Sequence, residues 1–196
     1  MRKPLRICSL AAMFLLSLPA HADDHERETT GAAGLEFGVG FAGEIAREIP
    51  ENKVEQDLAT SWSITPWYEK AVGKVVGFGP ELNFGWIKPD VEGGERRLTL
   101  SPHLRFRLSF ELSPGIAFES FISAGLSWWT STDQEGSLGD NRFGWGLRFG
   151  FGGSYAINRD VSAYMHLGYT TTNTWGGDIS ASADYVPLGV GLRALF

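Results

Sequence analysis

The chain has 196 residues, 43% of them hydrophobic and 13% aromatic, with 17 Lys/Arg against 23 Asp/Glu and a formal charge of −6. An acidic chain without a basic stripe lacks the cations that nucleic-acid binding needs to neutralise phosphates, so that class of function is excluded. The single cysteine, Cys8, lies too near the start to serve as a lipid-modified residue, and it leaves the rest of the chain without a thiol for disulfides, metal ligation or nucleophilic catalysis.

Taken in order, Arg2, Lys3 and Arg6 precede an apolar run from Ile7 to Leu18 that closes on Ala20-His21-Ala22. This pattern predicts a secretory signal peptide over residues 1–22, cleaved after Ala22. The run falls short of the roughly 20 residues that a bilayer-spanning helix requires. Its removal would leave 14 Lys/Arg and 23 Asp/Glu, a formal charge of −9. Residues 23–34 (DDHERETTGAAG) are polar without hydrophobic period and read as a flexible N-terminal tail. Residues 35–196 fit one domain.

From Leu35 onward the dominant signal is period-two alternation, the mark of strands with two unlike faces. Eight runs are predicted, at 35–42, 61–68, 76–86, 97–108, 116–128, 143–152, 161–169 and 186–196. The fourth sets Leu98, Leu100, Pro102, Leu104, Phe106 and Leu108 against Arg97, Thr99, Ser101, His103, Arg105 and Arg107. Across all eight runs the apolar phase carries no charge. Long polar connections at 43–59, 87–96, 130–142 and 170–184 alternate with short ones near 69–74, 109–115 and 156–160. That asymmetry matches barrels with long extracellular loops and short periplasmic turns. The predicted fold is therefore all-β, an eight-stranded antiparallel up-and-down transmembrane β-barrel.

Volume decides which phase is inside. An eight-stranded barrel leaves an interior just wide enough for side chains; the phase rich in Trp, Phe and Leu would overfill it, whereas the Gly, Ser and Thr phase fits. On the outward phase, Trp62, Trp86, Trp128, Trp145 and Tyr169 sit beside predicted long loops, with Tyr68, Phe151 and Phe196 at the opposite end. These read as two aromatic girdles at the lipid boundaries. Pro66, Pro80 and Pro102 fall inside runs that should be fully paired, and bulges or local widening are expected there.

The architecture of residues 35–196 resembles the small OmpA/OmpX/OmpW-like outer-membrane barrel superfamily. The most specific element is the ending Val190-Gly191-Leu192-Arg193-Ala194-Leu195-Phe196. The resemblance implies that Leu192, Ala194 and Phe196 form the signal read by the barrel-assembly machinery, and that the protein resides in the cell outer membrane among its lipids. No peptidoglycan-binding domain is expected, so the chain is more similar to OmpX than to full-length OmpA.

The inward phase gathers Glu36, Glu81 and Glu119 with Arg97, Arg105, Arg107, Arg148, Arg193, His103 and His166. Such charges are costly in a dry lumen unless paired, and opposite signs in one narrow space supply the partners. A polar plug is expected, with a narrow pore or gate for small solutes or apolar molecules as the alternative. Lipid A-modifying barrels imply a His-x-Ser pair, but this chain reads His166-Leu167-Gly168, so no enzyme, catalytic residue or cofactor is predicted. Asp133-Gln134-Glu135-Gly136-Ser137 lacks the later glutamate of a calcium loop, and no metal site is assigned. A monomer with a structural or surface-interaction role through its long loops is expected, the loop partner being open. A soluble periplasmic barrel is the remaining alternative.

Overall fold

The computed structural model describes residues 30–49, 52–90, 96–132, 138–176 and 179–196; the signal expected over 1–22 and the tail residues 23–29 lie outside them. Nine strands follow in order: β1 (Gly31–Ile49), β2 (Asn52–Asp57), β3 (Ser61–Val72), β4 (Val76–Ile87), β5 (Arg96–Ser113), β6 (Ile116–Thr132), β7 (Leu138–Ala156), β8 (Val161–Gly176) and β9 (Ile179–Leu195). Every pairing is antiparallel, and β1 also pairs β9, which closes the sheet on itself.

The ninth strand does not enlarge the barrel. β3 pairs the inner half of β1 from Gly31 to Gly40, while β2 pairs its outer half from Glu44 to Ile49. Between them Leu58 bridges Pro89, and the Ala59 N–H donates to the Lys88 carbonyl at 2.9 Å. β2 and β3 are thus one interrupted stave, and eight staves form the wall.

Burial is inverted relative to a water-soluble barrel. Leu104 and Leu126 are 64% and 70% exposed on the outer face, whereas Arg105 and Glu119 are fully buried inside. Exposed aliphatic and aromatic side chains cover the wall, which suits lipid rather than water as the surrounding solvent. The tight turns that join β3 to β4 and β5 to β6 carry Gly73 at φ +66° and Gly115 at φ +77°, where a side chain would strain the backbone.

Two boundary expectations change. β1 begins at Gly31, so residues 31–34 belong to the sheet and not to a flexible tail. Much of the expected loops is strand as well: β1 continues to Ile49, β2 covers Asn52–Asp57, β7 begins at Leu138, and β8 and β9 run to Gly176 and from Ile179. Beyond the lipid the outer face need not be apolar, so Thr170 to Thr174 lose the alternation of polarity while keeping that of direction. Thr172 and Thr174 point inward and donate from Oγ1 to the carbonyls of Ala183 and Ala181 at 3.4 and 3.1 Å.

Pro66, Pro80 and Pro102 produce no bulge. The β3–β4 ladder keeps one register throughout but skips Thr65/Asn83 with Pro66/Leu82, and again Tyr68/Pro80 with Glu69/Gly79. The β5–β6 ladder likewise skips Ser101/Ser127 with Pro102/Leu126. Proline lacks the N–H that would complete these rungs. Inside the barrel, side chains tie two of the gaps: Asn83 Nδ2 donates to Thr65 Oγ1 at 2.7 Å, and the Ser101 and Ser127 hydroxyls lie 2.9 Å apart. Register shifts occur elsewhere, at Gly40/Gly43, Glu111/Ser113 and Trp129/Ser131.

If Asn83 replaces a missing rung, Asn83→Ala should destabilise the barrel by about 1 kcal/mol, the usual size of one buried hydrogen bond. Equilibrium urea unfolding in lipid vesicles should show this loss in Asn83→Ala and none in Pro66→Leu, whose backbone N–H can complete the rung.

Candidate functional site

The inward phase of every stave delivers at least one ionisable group to a common layer: Glu36 from β1, Glu69 from β3, Glu81 from β4, His103, Arg105 and Arg107 from β5, Glu119 from β6, Arg148 from β7, His166 from β8 and Arg193 from β9. Most are buried, with Arg107 half-buried nearer the inner end.

Their contacts close into a ring. Arg148 crosses the lumen, placing Nη2 2.8 Å from Glu36 Oε1 and Nη1 2.6 Å from Glu81 Oε1. Glu81 Oε2 then accepts from Arg105 Nη1 at 2.9 Å, and Arg105 Nε lies 3.0 Å from Glu69 Oε1. Arg107 Nε donates to Glu69 Oε2 at 2.6 Å, and its Nη1 lies 3.5 Å from Glu119 Oε1. His166 stands between two carboxylates, with Nδ1 3.3 Å from Glu36 Oε2 and Nε2 3.5 Å from Glu119 Oε2. Arg193 Nη2 approaches Glu119 Oε1 to 2.5 Å, and His103 Nδ1 lies 3.6 Å from Glu81 Oε1.

Neutral and aromatic groups complete the packing. Ser123 Oγ donates to Glu81 Oε1 and Ser154 Oγ to Glu119 Oε1, at 2.9 and 2.8 Å. The Arg105 guanidinium lies 4.1 Å from the Phe121 ring centroid and 5.0 Å from that of Trp67, close enough for cation–π attraction. Trp67 Nε1 donates to the Tyr164 hydroxyl at 2.8 Å. Glycine makes the crowding feasible: a Cβ on Gly189 would meet Glu36 Cδ at 2.7 Å. The enclosed space beside Glu36, Phe121, Arg148 and His166 amounts to about 10 Å³, the scale of a single water.

The structure brings Glu36, Glu81, Glu119, Arg105, Arg107, Arg148, Arg193, His103 and His166 together. Arg97 takes a different position, half-buried at the outer end with its guanidinium 5.7 Å from the Trp129 ring centroid. Glu69 was missed as a lumen residue because 69–74 reads as a turn. The signal was present, since the inward series Ser61, Ser63, Thr65 and Trp67 continues by one step to Glu69.

On the outer face, Trp62, Trp86, Trp145 and Phe196 are exposed, while Trp128 and Tyr169 are partly covered beside Phe143 and Phe149. Leu192 and Ala194 also point outward. Phe196 stacks on Tyr68 with centroids 6.0 Å apart, and its carbonyl accepts from the Thr30 and Gly31 N–H groups at 2.8 and 2.9 Å. The chain end is therefore built into the β1–β9 seam.

Two outcomes follow. Arg148→Met leaves Glu36 and Glu81 without their shared cation and should cost about 3–5 kcal/mol in urea unfolding, as for a broken buried pair. Arg107→Met, at the half-exposed end, should cost less; equal losses would contradict a ring held mainly by Arg148. Deleting Phe196 should lower the yield of folded, heat-modifiable barrel in the membrane, and a wild-type yield would exclude the assembly role.

The sequence profile of the outer membrane protein beta-barrel domain family matches residues 8–193. Among solved structures, Neisserial surface protein A superposes with a TM-score of 0.50 at 14% identity, covering 84% of this chain and 99% of its own. The outer membrane protein OprG from Pseudomonas aeruginosa superposes with a TM-score of 0.50 at 14% identity, covering 88% and 99%. At that identity the likeness concerns the fold. No curated protein sequence matches the chain significantly.

Proposed function

The chain belongs to the outer membrane protein beta-barrel domain family, and from that premise we propose that it is a monomeric, non-conducting barrel that presents its long outer hairpins at the cell surface. It is exported by its N-terminal signal, inserted by the barrel-assembly machinery and held by outer-membrane lipid. The observation that carries this reading is the charged ring, to which all eight staves contribute and which Arg148 spans from Glu36 to Glu81. With paired side chains occupying the lumen, the surface offered to the exterior is that of the outer hairpins, β1–β2 foremost, where Glu44, Arg47, Glu48, Lys53 and Glu55 are exposed.

The role is a non-catalytic one. His103 and His166 are enclosed within the ion-pair ring, out of reach of a lipid or peptide substrate. Ser123 Oγ, 3.5 Å from His103 Nδ1, already donates to Glu81 and is equally enclosed.

Single-channel recording in planar bilayers tests the proposal. The purified protein should show no large steady conductance, and an epitope inserted at Val54 should bind antibody on intact cells. A large, steady current from the unmodified barrel would overturn the closed-lumen reading in favour of a narrow porin.

A further inference from the structure

The β8–β9 ladder breaks beside the ionic ring. Its rungs run from Val161↔Ala194 to Leu167↔Leu188, skip Gly168/Pro187 and Tyr169/Val186, and resume in the same register at Thr170↔Tyr185. Pro187 has no N–H, so the Gly168 carbonyl opposite it loses its ladder donor.

This gap differs in kind from those at Pro66 and Pro102. Those two prolines lie on the outward phase, and the skipped pair beside each one points inward, where Thr65 with Asn83 and Ser101 with Ser127 supply a side-chain tie. Pro187 is itself on the inward phase and buried. The inward skipped pair is therefore Gly168 with Pro187, which carries no polar side-chain atom, and the other pair, Tyr169 with Val186, faces outward. Neither pair can replace the missing bond from inside.

A small cavity stands there instead. Its volume is about 10 Å³, and it touches the broken rung at Gly168 and Pro187, the ring at Glu36, Arg148 and His166, and the aromatic face of Phe121. A space of that size holds one water, provided that about three polar partners converge on it. Glu36 and Arg148 are buried beside it, and a guanidinium has N–H groups to spare after its contacts with Glu36 and Glu81.

We propose that this cavity is a binding site for one resident water, which takes the place of the rung that Pro187 removes. The water donates one hydrogen to the Gly168 carbonyl and the other to Glu36, and accepts from Arg148. A bridging water is enthalpically almost as good as a direct bond. The site selects a neutral ligand that both donates and accepts, because a cation would stand against Arg148 and an anion against Glu36. The wall's ladder and the ionic ring are thereby joined at Gly168.

X-ray radiolytic labelling of the folded barrel in nanodiscs, in heavy-oxygen water, tests the site. Radicals formed from a bound water oxidise the side chains that touch it, so Phe121 should take up the heavy oxygen. Trp129, buried in the outer apolar cluster and intrinsically more reactive, should take up much less. Gly168→Ala puts a methyl on the inward phase, where its Cβ would meet Phe149 O at 2.9 Å and Pro187 Cγ at 3.6 Å, and should remove most of the Phe121 label. Pro187→Ala restores the N–H donor. Gly168→Ala should therefore lower the folding constant in urea about fivefold more in the Pro187 barrel than in the Pro187→Ala background, the equivalent of one net hydrogen bond. Strain against Phe149 is common to both backgrounds and cancels in the cycle. An unlabelled Phe121, a label that Gly168→Ala leaves unchanged, or equal effects in the two backgrounds would overturn the proposal. Trp129 labelled as heavily as Phe121 would mean bulk water in the lumen, and would overturn the closed-lumen reading along with it. Should Gly168→Ala fail to give a heat-modifiable barrel, labelling of the unsubstituted protein decides the question alone.

Discussion

Eight strands closed on themselves leave an interior just wide enough for side chains to fill. Each inward charge then has to find its counter-charge within the same narrow layer, because an ion without a partner in a dry site costs several kcal/mol. The sequence meets this constraint by number as well as by place. Glu36, Glu69, Glu81 and Glu119 face Arg105, Arg107, Arg148 and Arg193, so the layer is formally neutral before the two histidines are considered. The glycines of the inward phase are the complement of these long side chains. Where Glu36 lies, β9 presents Gly189 and can present nothing larger without moving the carboxylate.

The same closure explains how the wall tolerates proline. Each skipped rung leaves the register unchanged, because the neighbouring rungs on both sides still fix it. A lost backbone bond in a lipid-facing wall is expensive unless a substitute exists. Thr65 with Asn83 and Ser101 with Ser127 provide one from inside, between residues that stand directly opposite each other at the gap. Polar residues of the lumen thus serve the ladder as well as the ring, and the two roles alternate along β3 to β6.

Fold, phase and most of the charged layer were legible in the sequence because lipid outside and a polar lumen inside impose opposite demands on successive residues. Legibility ended where that contrast ended. Above the membrane both faces are wet, so Thr170 to Thr174 and Glu44 to Glu48 lose the polarity pattern although the strands continue. Near the inner end Glu69 was hidden by Lys70, Gly73 and Lys74, which resemble a turn before the turn begins. Trp67 and Trp129 show the alternation overriding composition. Trp67 falls on the inward phase of its run and Trp129 one step beyond the fifth run, and both are buried inward, Trp67 against Tyr164 and Trp129 against Ile87 and Tyr185. Composition names an aromatic; only its place in the alternation says which side it faces.

Those inward aromatics alter what the ring alone would mean for the lumen. Along their staves Ile45, Ile87 and Trp129 lie outward of Glu36, Glu81 and Glu119, and with Tyr185, Ala181 and Ala183 they form a buried apolar cluster at the outer end. Trp67, Tyr164 and Ala32 form a smaller one toward the inner end. The ionic layer is therefore bracketed by apolar packing that shields it from solvent and strengthens its ion pairs. The closures also differ in kind. Removing a charge weakens an ion-pair layer, whereas apolar packing does not depend on it. A change that breaks one ion pair would still leave Trp129 and its neighbours across the path. The lumen is thus filled by an ionic layer and by an outer apolar cluster that contains no member of the ion-pair ring, so the loss of one still leaves the other across the path.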